Sequence, residues 1–434
     1  MASLDGISFD VTTRQVTRTI LSSVGGFSQS ARQNIRSLQD LLATIQRFGL
    51  EVFDSRTLRR DGFIGEGVSY KVTKCTHTRT HKLYAVKTVK LPHKSADSGA
   101  FERQVACVLR DIEVMYGLAK RPNILDIYGY GWDVDSGNVI PYLVTEYAAE
   151  GTLRSFLKNN ELSIHEKLLF CKDVAQGLHF LHVAGIAHGD LKLDNVLVTP
   201  YLGMSMFMEQ EMLRTTGMEA CISDFGHSLH LYDDEGDAVV KQRYGGTLAY
   251  NAPEILDKHK STRENVAFRK CDIWSLGLAV WEILIDGKAY YHNSDVEDSI
   301  LSSQKRTSSL PTPPPSNAPS QASSAAMIEE LALVAPQLAQ IACKQVSEKT
   351  SASLTSRETG RLHFLFQKCL NHDPKNRLAD IPLLPFFHGQ KTEAATVAPP
   401  SRILVGTGTS WSFEVSPLLS HIRHSQSLSF GFHW

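Results

Sequence analysis

Three oxygen-bearing side chains stand close together in this sequence, two in HGDLKLDN (188–195) and one in SDFG (223–226). Asp224 and Asn195 can offer the carboxylate and amide oxygens that a hard divalent cation such as Mg²⁺ prefers. Asp190 adds a second carboxylate, able to accept a proton, and Lys192 follows it two residues later with an ammonium. Such a set suits transfer of a phosphoryl group. In that reaction negative charge spreads over several oxygens, and a protein acts mainly by positioning reactants and neutralising charge.

The order and spacing of the two motifs resemble the protein kinase superfamily, and Lys in D-L-K-x-x-N resembles its serine/threonine branch. The resemblance implies Asp190 as the acceptor of the substrate hydroxyl proton, Lys192 at the γ-phosphate, and Asn195 and Asp224 as Mg²⁺ ligands. It extends along most of the chain. IGEGVSYKV (64–72) is similar to a glycine-rich loop, with Ile64, Gly65, Glu66, Gly67 and Val72 at the nucleotide. YAVK (84–87) then supplies Ala85 above the adenine ring and Lys87 for the α- and β-phosphates. PYLVTEYAAEGTL (141–153) resembles the hinge, with Thr145 as gatekeeper, the backbone of Glu146 and Ala148 at the adenine edge, and Leu197 below the ring. GGTLAYNAPE (245–254), CDIWSLGLAVWEIL (271–284) and NHDPKNR (371–377) complete the series. They imply Asp272 holding the catalytic-loop backbone and Arg377 paired with Glu254.

Three residues depart from the family pattern. Tyr70 stands where the third glycine of the loop belongs, and Asp111, in DIEVMYGL (111–118), stands where a glutamate pairs with the lysine; Glu113 and Glu102 are alternatives in poorer register. Aspartate is one methylene shorter, so a Lys87–Asp111 pair requires the helix to sit closer, and Asp111→Glu is expected to restore reach. Gly189 replaces the arginine of H-R-D and leaves no guanidinium to gather a phosphorylated activation loop. The acidic run DDEGD (233–237) would also repel an added phosphate. The resemblance therefore implies control through the helix carrying Asp111 rather than through phosphorylation of Thr247, Tyr244 or Tyr250. H-G-D with DFGHS is similar to a divergent group of kinase-like proteins that includes fungal members.

Length and composition fit this picture. The 434 residues are 42% hydrophobic, enough for a large core, and 45 basic residues against 46 acidic ones leave a net charge of −1. That balance predicts no general attraction to nucleic acid or to an anionic membrane. Seven scattered cysteines without a C-x-x-C pair predict neither a disulfide framework nor a zinc site, and point to a reducing compartment, cytoplasmic or nuclear. The N-terminus does not read as a signal peptide, and the apolar stretch 273–285 is too short to span a bilayer.

The expected architecture is α+β and two-lobed: a small β-rich N-lobe with one main helix, and a larger, mostly helical C-lobe. Residues 1–57 form an N-terminal extension with an amphipathic helix over about 30–48, since Ile35, Leu38, Leu42, Ile45 and Phe48 recur at helical spacing before Gly49. It is expected to pack on the small lobe, with partner binding as the alternative. Residues 58–150 make the N-lobe and hinge, with one helix near 100–118, and 151–390 make the C-lobe, with a helix at 165–184. Two insertions interrupt that lobe. The Met-rich one, about 199–220, reads as a loop on its own lobe or a docking surface. The other, about 296–326, is Ser/Pro-rich and expected to be disordered over 302–326, with helix resuming over 327–346. The tail 391–434 carries no assigned role. Two functions follow: an ATP- and Mg²⁺-dependent kinase acting on Ser/Thr hydroxyls of proteins, or a pseudokinase serving as an ATP-binding scaffold or switch.

Overall fold

The computed structural model describes residues 38–67, 69–90, 98–135, 138–201, 214–231, 244–256, 265–307 and 330–381. The tail 391–434, the acidic run 233–237 and most of both insertions lie outside them.

The small lobe is a six-stranded sheet ordered β1-β5-β6-β4-β3-β2, built from Glu51–Val52 (β1), Leu58–Glu66 (β2), Tyr70–His77 (β3), Leu83–Val89 (β4), Ile127–Asp135 (β5) and Asn138–Glu146 (β6). Pairing is antiparallel except for β1, which lies parallel to β5. Register places Val72 opposite Lys87 and Ala85 opposite Thr145. Because side chains two apart on a strand share a face, these four residues line one surface of the sheet. The turn between β2 and β3 is the glycine-rich loop, and two register shifts in β2, at Arg60/Gly62 and Phe63/Gly65, bend the strand that carries it.

The helix Ser98–Gly117 buries Val105, Val108, Leu109, Ile112 and Met115 at three- and four-residue spacing. Behind it lies the N-terminal helix, described over Leu38–Gln46, with Leu41 and Ile45 fully buried and the Phe48 ring edge-on to Tyr116 at 5.8 Å. Gly49 ends it at φ 66. Burying each aliphatic side chain contributes about 1.5–3 kcal/mol. This helix packs onto the small lobe; residues 30–37 lie outside the described part.

The large lobe is organised on two helices, Ile164–Val183 and Asn265–Leu284. Ser163 caps the first by accepting the Glu166 N–H at 3.2 Å. The second is buried on every side, Trp274 and Trp281 included, which is why it is apolar all round rather than amphipathic. Two short antiparallel pairs present the catalytic loop: Ile186–Ala187 with Leu229–His230, and, nested between them in sequence as a second pair, the hairpin of Val196–Pro200 with Met218–Ile222.

Several boundaries differ from expectation. Residues 199–200 and 218–220 belong to the second pair, so the first insertion is narrower than 199–220. Its base is clamped: the Arg214 guanidinium donates to both oxygens of Asp173 at 2.5 and 3.0 Å, and Glu166 accepts from Thr215 Oγ1 at 2.7 Å. Residues 302–307 are helical, not disordered, since they continue the helix Ser294–Thr307. Ser, Gln, Lys and Arg propagate a helix already nucleated, and the proline-rich composition begins only after it. The stretch 327–346 is not one helix: residues 330–334 are helical, Ala335–Gln337 tightens into a 3-10 turn at Pro336, and Leu338–Thr350 follows. No helix of the described residues is long and apolar enough to cross a membrane.

Candidate active site

The two motifs that opened the sequence meet between the lobes. HGDLKLDN runs from the strand at 186–187 to the strand at 196–200, and SDFG follows its partner strand at 218–222, so the strand register brings the two motifs side by side. Ser223 closes the junction by donating its N–H and its hydroxyl to the Asn195 carbonyl, each at 2.9 Å.

Asp272, fully buried on the central helix, holds the catalytic loop from below. Its carboxylate accepts the N–H groups of His188 at 2.7 Å and Gly189 at 3.0 Å, meets His182 Nε2 at 2.9 Å, and accepts the Tyr244 hydroxyl at 3.3 Å. His188 accepts the Asp190 N–H on Nδ1 at 3.2 Å, which leaves Nε2 to donate to the Ser223 carbonyl at 3.1 Å. Gly189 sits at φ 79, and a Cβ there would lie 2.3 Å from the His227 carbonyl. An arginine at 189 would need a different backbone path as well as a side chain.

Asp190 is surrounded by donors. Oδ2 accepts from Lys192 Nζ and Asn195 Nδ2, each at 3.0 Å, and Oδ1 accepts the Thr247 N–H at 2.6 Å. Burial pushes its pKa up, but the Lys192 ammonium and the hydrogen bonds from Thr247 and Lys192 outweigh that and hold it below the usual carboxylate range. It is an ionised acceptor throughout the neutral range. Lys192 also donates to Thr247 Oγ1 at 2.6 Å, which ties the end of the activation segment to the catalytic loop.

Asp224 adopts left-handed backbone angles, φ 63 and ψ 72, and makes no capping bond to the turn it starts. A non-glycine residue in that region carries strain of about 1–3 kcal/mol, a pattern that clusters at functional sites. Asn195 uses its amide nitrogen twice, toward the Asp190 carbonyl at 2.8 Å and the Asp190 carboxylate, so Oδ1 is the atom that could face a cation. Among the described residues no group of three or more His, Cys, Asp or Glu could hold a metal. One carboxylate and one amide oxygen would suit an ion that takes its remaining ligands from phosphate and water, the manner in which Mg²⁺ is usually held.

On the small-lobe side Lys87 Nζ donates to Asp111 Oδ2 at 3.1 Å, and Asp111 Oδ1 accepts the Phe225 N–H at 2.9 Å. The shorter acid therefore already reaches the lysine, which corrects the expectation that Asp111→Glu is needed to restore that reach. Burial pulls the Lys87 pKa down, while the Asp111 and Asp224 carboxylates raise it further, so the net shift is upward and the ammonium stays charged. Next to Asp111, Arg110 donates to the Gly226 carbonyl at 3.1 Å, so consecutive residues of one helix grip both sides of Phe225–Gly226. Sequence reasoning missed Arg110 because its partner lies 116 positions away.

Gly65 and Gly67 face open space, where an added Cβ would meet nothing within 4 Å. Lys90 steadies their loop by donating to the Gly67 carbonyl at 3.1 Å and pairing with Glu66 at 2.7 Å, while Ile64 beside them is exposed. Thr145 is buried, with Oγ1 3.4 Å from the Ala85 carbonyl. Ala148 lies just past β6 and accepts the Gly151 N–H at 3.2 Å, and Leu197 sits across the cleft, bridged to Thr152. At the far end of the large lobe Arg377 makes a buried two-pronged pair with Glu254, at 2.6 and 2.7 Å.

Residues 58–384 match the family model described as protein kinase domain, three quarters of the chain, and the chain belongs to that family. Over 258 residues it is 29% identical to serine/threonine-protein kinase ULK3 of Xenopus laevis, covering 58% of this chain and 47% of that protein. It is 26% identical over 237 residues to MAP kinase-interacting serine/threonine-protein kinase 2 of Xenopus laevis, covering 54% and 45%. With the phosphorylase b kinase gamma catalytic chain, liver/testis isoform, of Rattus norvegicus it shares 25% over 234 residues, covering 54% and 52%. The matched region spans about half the length of these relatives.

Proposed function

We propose that this chain is an active serine/threonine protein kinase that transfers the γ-phosphoryl group of ATP to protein hydroxyls with Mg²⁺. The observation that carries the reading is the state of Asp190 and Lys87. The carboxylate is ionised and fixed by Lys192, Asn195 and Thr247, while the lysine is already paired with Asp111. Asp190 would orient the incoming hydroxyl and accept its proton. Lys87 would hold the α- and β-phosphates, and Lys192, set between Asp190 and Thr247, would meet the transferred group. Asn195 and Asp224 would hold Mg²⁺, whose contribution is to neutralise charge spread over the phosphoryl oxygens. Ile64, Val72, Ala85 and Leu197 would enclose the adenine, with Glu146 and Ala148 at its edge and Thr145 behind it. Gly65, Glu66 and Gly67 would cover the phosphates.

A second reading, a pseudokinase acting as an ATP-binding scaffold or switch, is favoured by one observation: the large side chain of Tyr70 lies buried beneath the glycine-rich loop. Substrates with Ser or Thr hydroxyls and a cytoplasmic or nuclear setting belong to the same proposal, as does kinship with divergent kinases carrying H-G-D. The seven unpaired cysteines support that setting.

Transfer from radiolabelled ATP to generic protein substrates, with Mg²⁺ and with chelator, separates the two readings. Asp224→Asn is expected to lower the rate by about 10²–10³ while leaving the fold intact, since that carboxylate makes no capping bond to the turn it starts. Equal rates in the variant and the parent would contradict the metal-ligand role.

A further inference from the structure

Position 70 carries a buried aromatic ring that the proposed chemistry does not use. Tyr70 opens β3 opposite Val89, two residues from the Val72–Lys87 pairing, and so shares the sheet face with the lysine. It is 6% exposed, and its ring centroid lies 4.8 Å from Lys87 Nζ. The ammonium thus rests between an aromatic face and the Asp111 carboxylate. An aromatic face attracts a cation, and the attraction grows as water is removed. A glycine here would leave this volume empty.

Asp111 has no slack on the other side. It is fully buried, with one oxygen on Lys87 and the other on the Phe225 N–H. A further methylene would have to enter a space already closed by Tyr70, the lysine and the SDFG backbone, and an added methylene in a packed interior forces off-rotamer side chains or backbone shifts. Two departures from the family pattern, a ring in place of a glycine and a shorter acid, therefore converge on one ammonium. The Tyr70 hydroxyl is buried beside the Asp111 carboxylate and interacts with it, at the limit of hydrogen-bonding geometry. The ring makes the contact with the ammonium.

We propose that Tyr70 is a positioning residue matched to Asp111: its ring braces the Lys87 ammonium at the phosphate site, so that the aspartate holds the lysine where a glutamate otherwise would. Restoring either family residue alone then harms the site, and restoring both repairs it. The nucleotide consequence rests on the ATP reading above; the packing claim does not.

The test uses the full chain. Thermal unfolding without nucleotide is measured for Tyr70→Gly, Asp111→Glu, the double variant, Tyr70→Phe and Tyr70→Leu, followed by titration of each with a fluorescent trinitrophenyl ATP analogue and Mg²⁺. Asp111→Glu is expected to lower the Tm of the parent but not that of the Tyr70→Gly background, a non-additivity that reports direct coupling. Tyr70→Phe, which keeps the ring, should hold the Tm closer to the parent's than Tyr70→Gly or Tyr70→Leu does. It should also hold the analogue's Kd within about twofold, whereas Tyr70→Gly and Tyr70→Leu should weaken it about threefold to tenfold. An equal Tm cost of Asp111→Glu in both backgrounds overturns the matching. Tighter analogue binding by Tyr70→Gly would make the ring a plug, and equal binding by Tyr70→Leu and Tyr70→Phe would remove the role of its aromatic face; either result overturns the proposal. Coupled unfolding in proteins that bind no analogue would uphold the packing claim and overturn the ATP reading instead.

Discussion

Asp111 answers to two partners at once, the Lys87 ammonium and the Phe225 N–H, and this double duty links the small-lobe helix to the SDFG turn. The motif residues themselves, Lys87, Asp190, Asn195 and Asp224, were legible in the sequence because each lies in a contiguous run whose residue types carry the chemistry. What was not legible was contact across the fold: Arg110 on Gly226, Thr247 on Asp190, the Tyr70 ring on Lys87. Such pairs lie well beyond one helical turn or one hairpin apart in sequence, up to 116 positions, and leave no local pattern. Position 145 yields a prediction at this scale. Thr145 is small, buried and placed opposite Ala85 on the proposed adenine side of the sheet. Thr145→Met should weaken inhibitors that reach behind the adenine position by at least about tenfold while sparing ATP, as measured by competition binding. Unchanged inhibitor affinities would contradict the gatekeeper assignment.

Among the elements, the long periodic helices were readable, and their ends fell within a few residues of expectation: Ser98–Gly117 against 100–118, Ile164–Val183 against 165–184. The misses have physical causes. The two-residue strand Glu51–Val52 exists only through its parallel pairing with β5, which no local propensity encodes. The second insertion misled because its composition was averaged over a window that included the end of a good helix, Ser294–Thr307. One element contact is strong enough to measure by itself. Arg377 and Glu254 are both buried and tie the turn Pro374–Asn376 to the end of the activation segment. Replacing buried pairs wholesale can be neutral, but removing one partner strands a charge. Arg377→Ala should therefore cost about 3–5 kcal/mol in chemical unfolding. A cost below about 1 kcal/mol would show that Glu254 finds water or another donor.

At the scale of the whole molecule, the described parts of the activation segment are held in place without any phosphate. Thr247 Oγ1 accepts from Lys192, and the Tyr244 hydroxyl reaches Asp272. The Tyr250 hydroxyl donates to Glu282 at 2.9 Å and accepts from Arg154. All three hydroxyls are engaged as they stand, Gly189 offers no guanidinium to a phosphate, and the lysine–acid pair of the small lobe is closed, with the N-terminal helix packed behind it. On the proposed kinase reading, this unphosphorylated arrangement is competent for transfer. The direct measurement is the rate of phosphoryl transfer from radiolabelled ATP, with Mg²⁺, by phosphatase-treated parent protein beside an Asp190→Asn control. Phosphatase treatment should leave most of the activity in place, and Asp190→Asn should remove nearly all of it. Loss of nearly all activity on phosphatase treatment, or an Asp190→Asn variant as active as the parent, would contradict that reading.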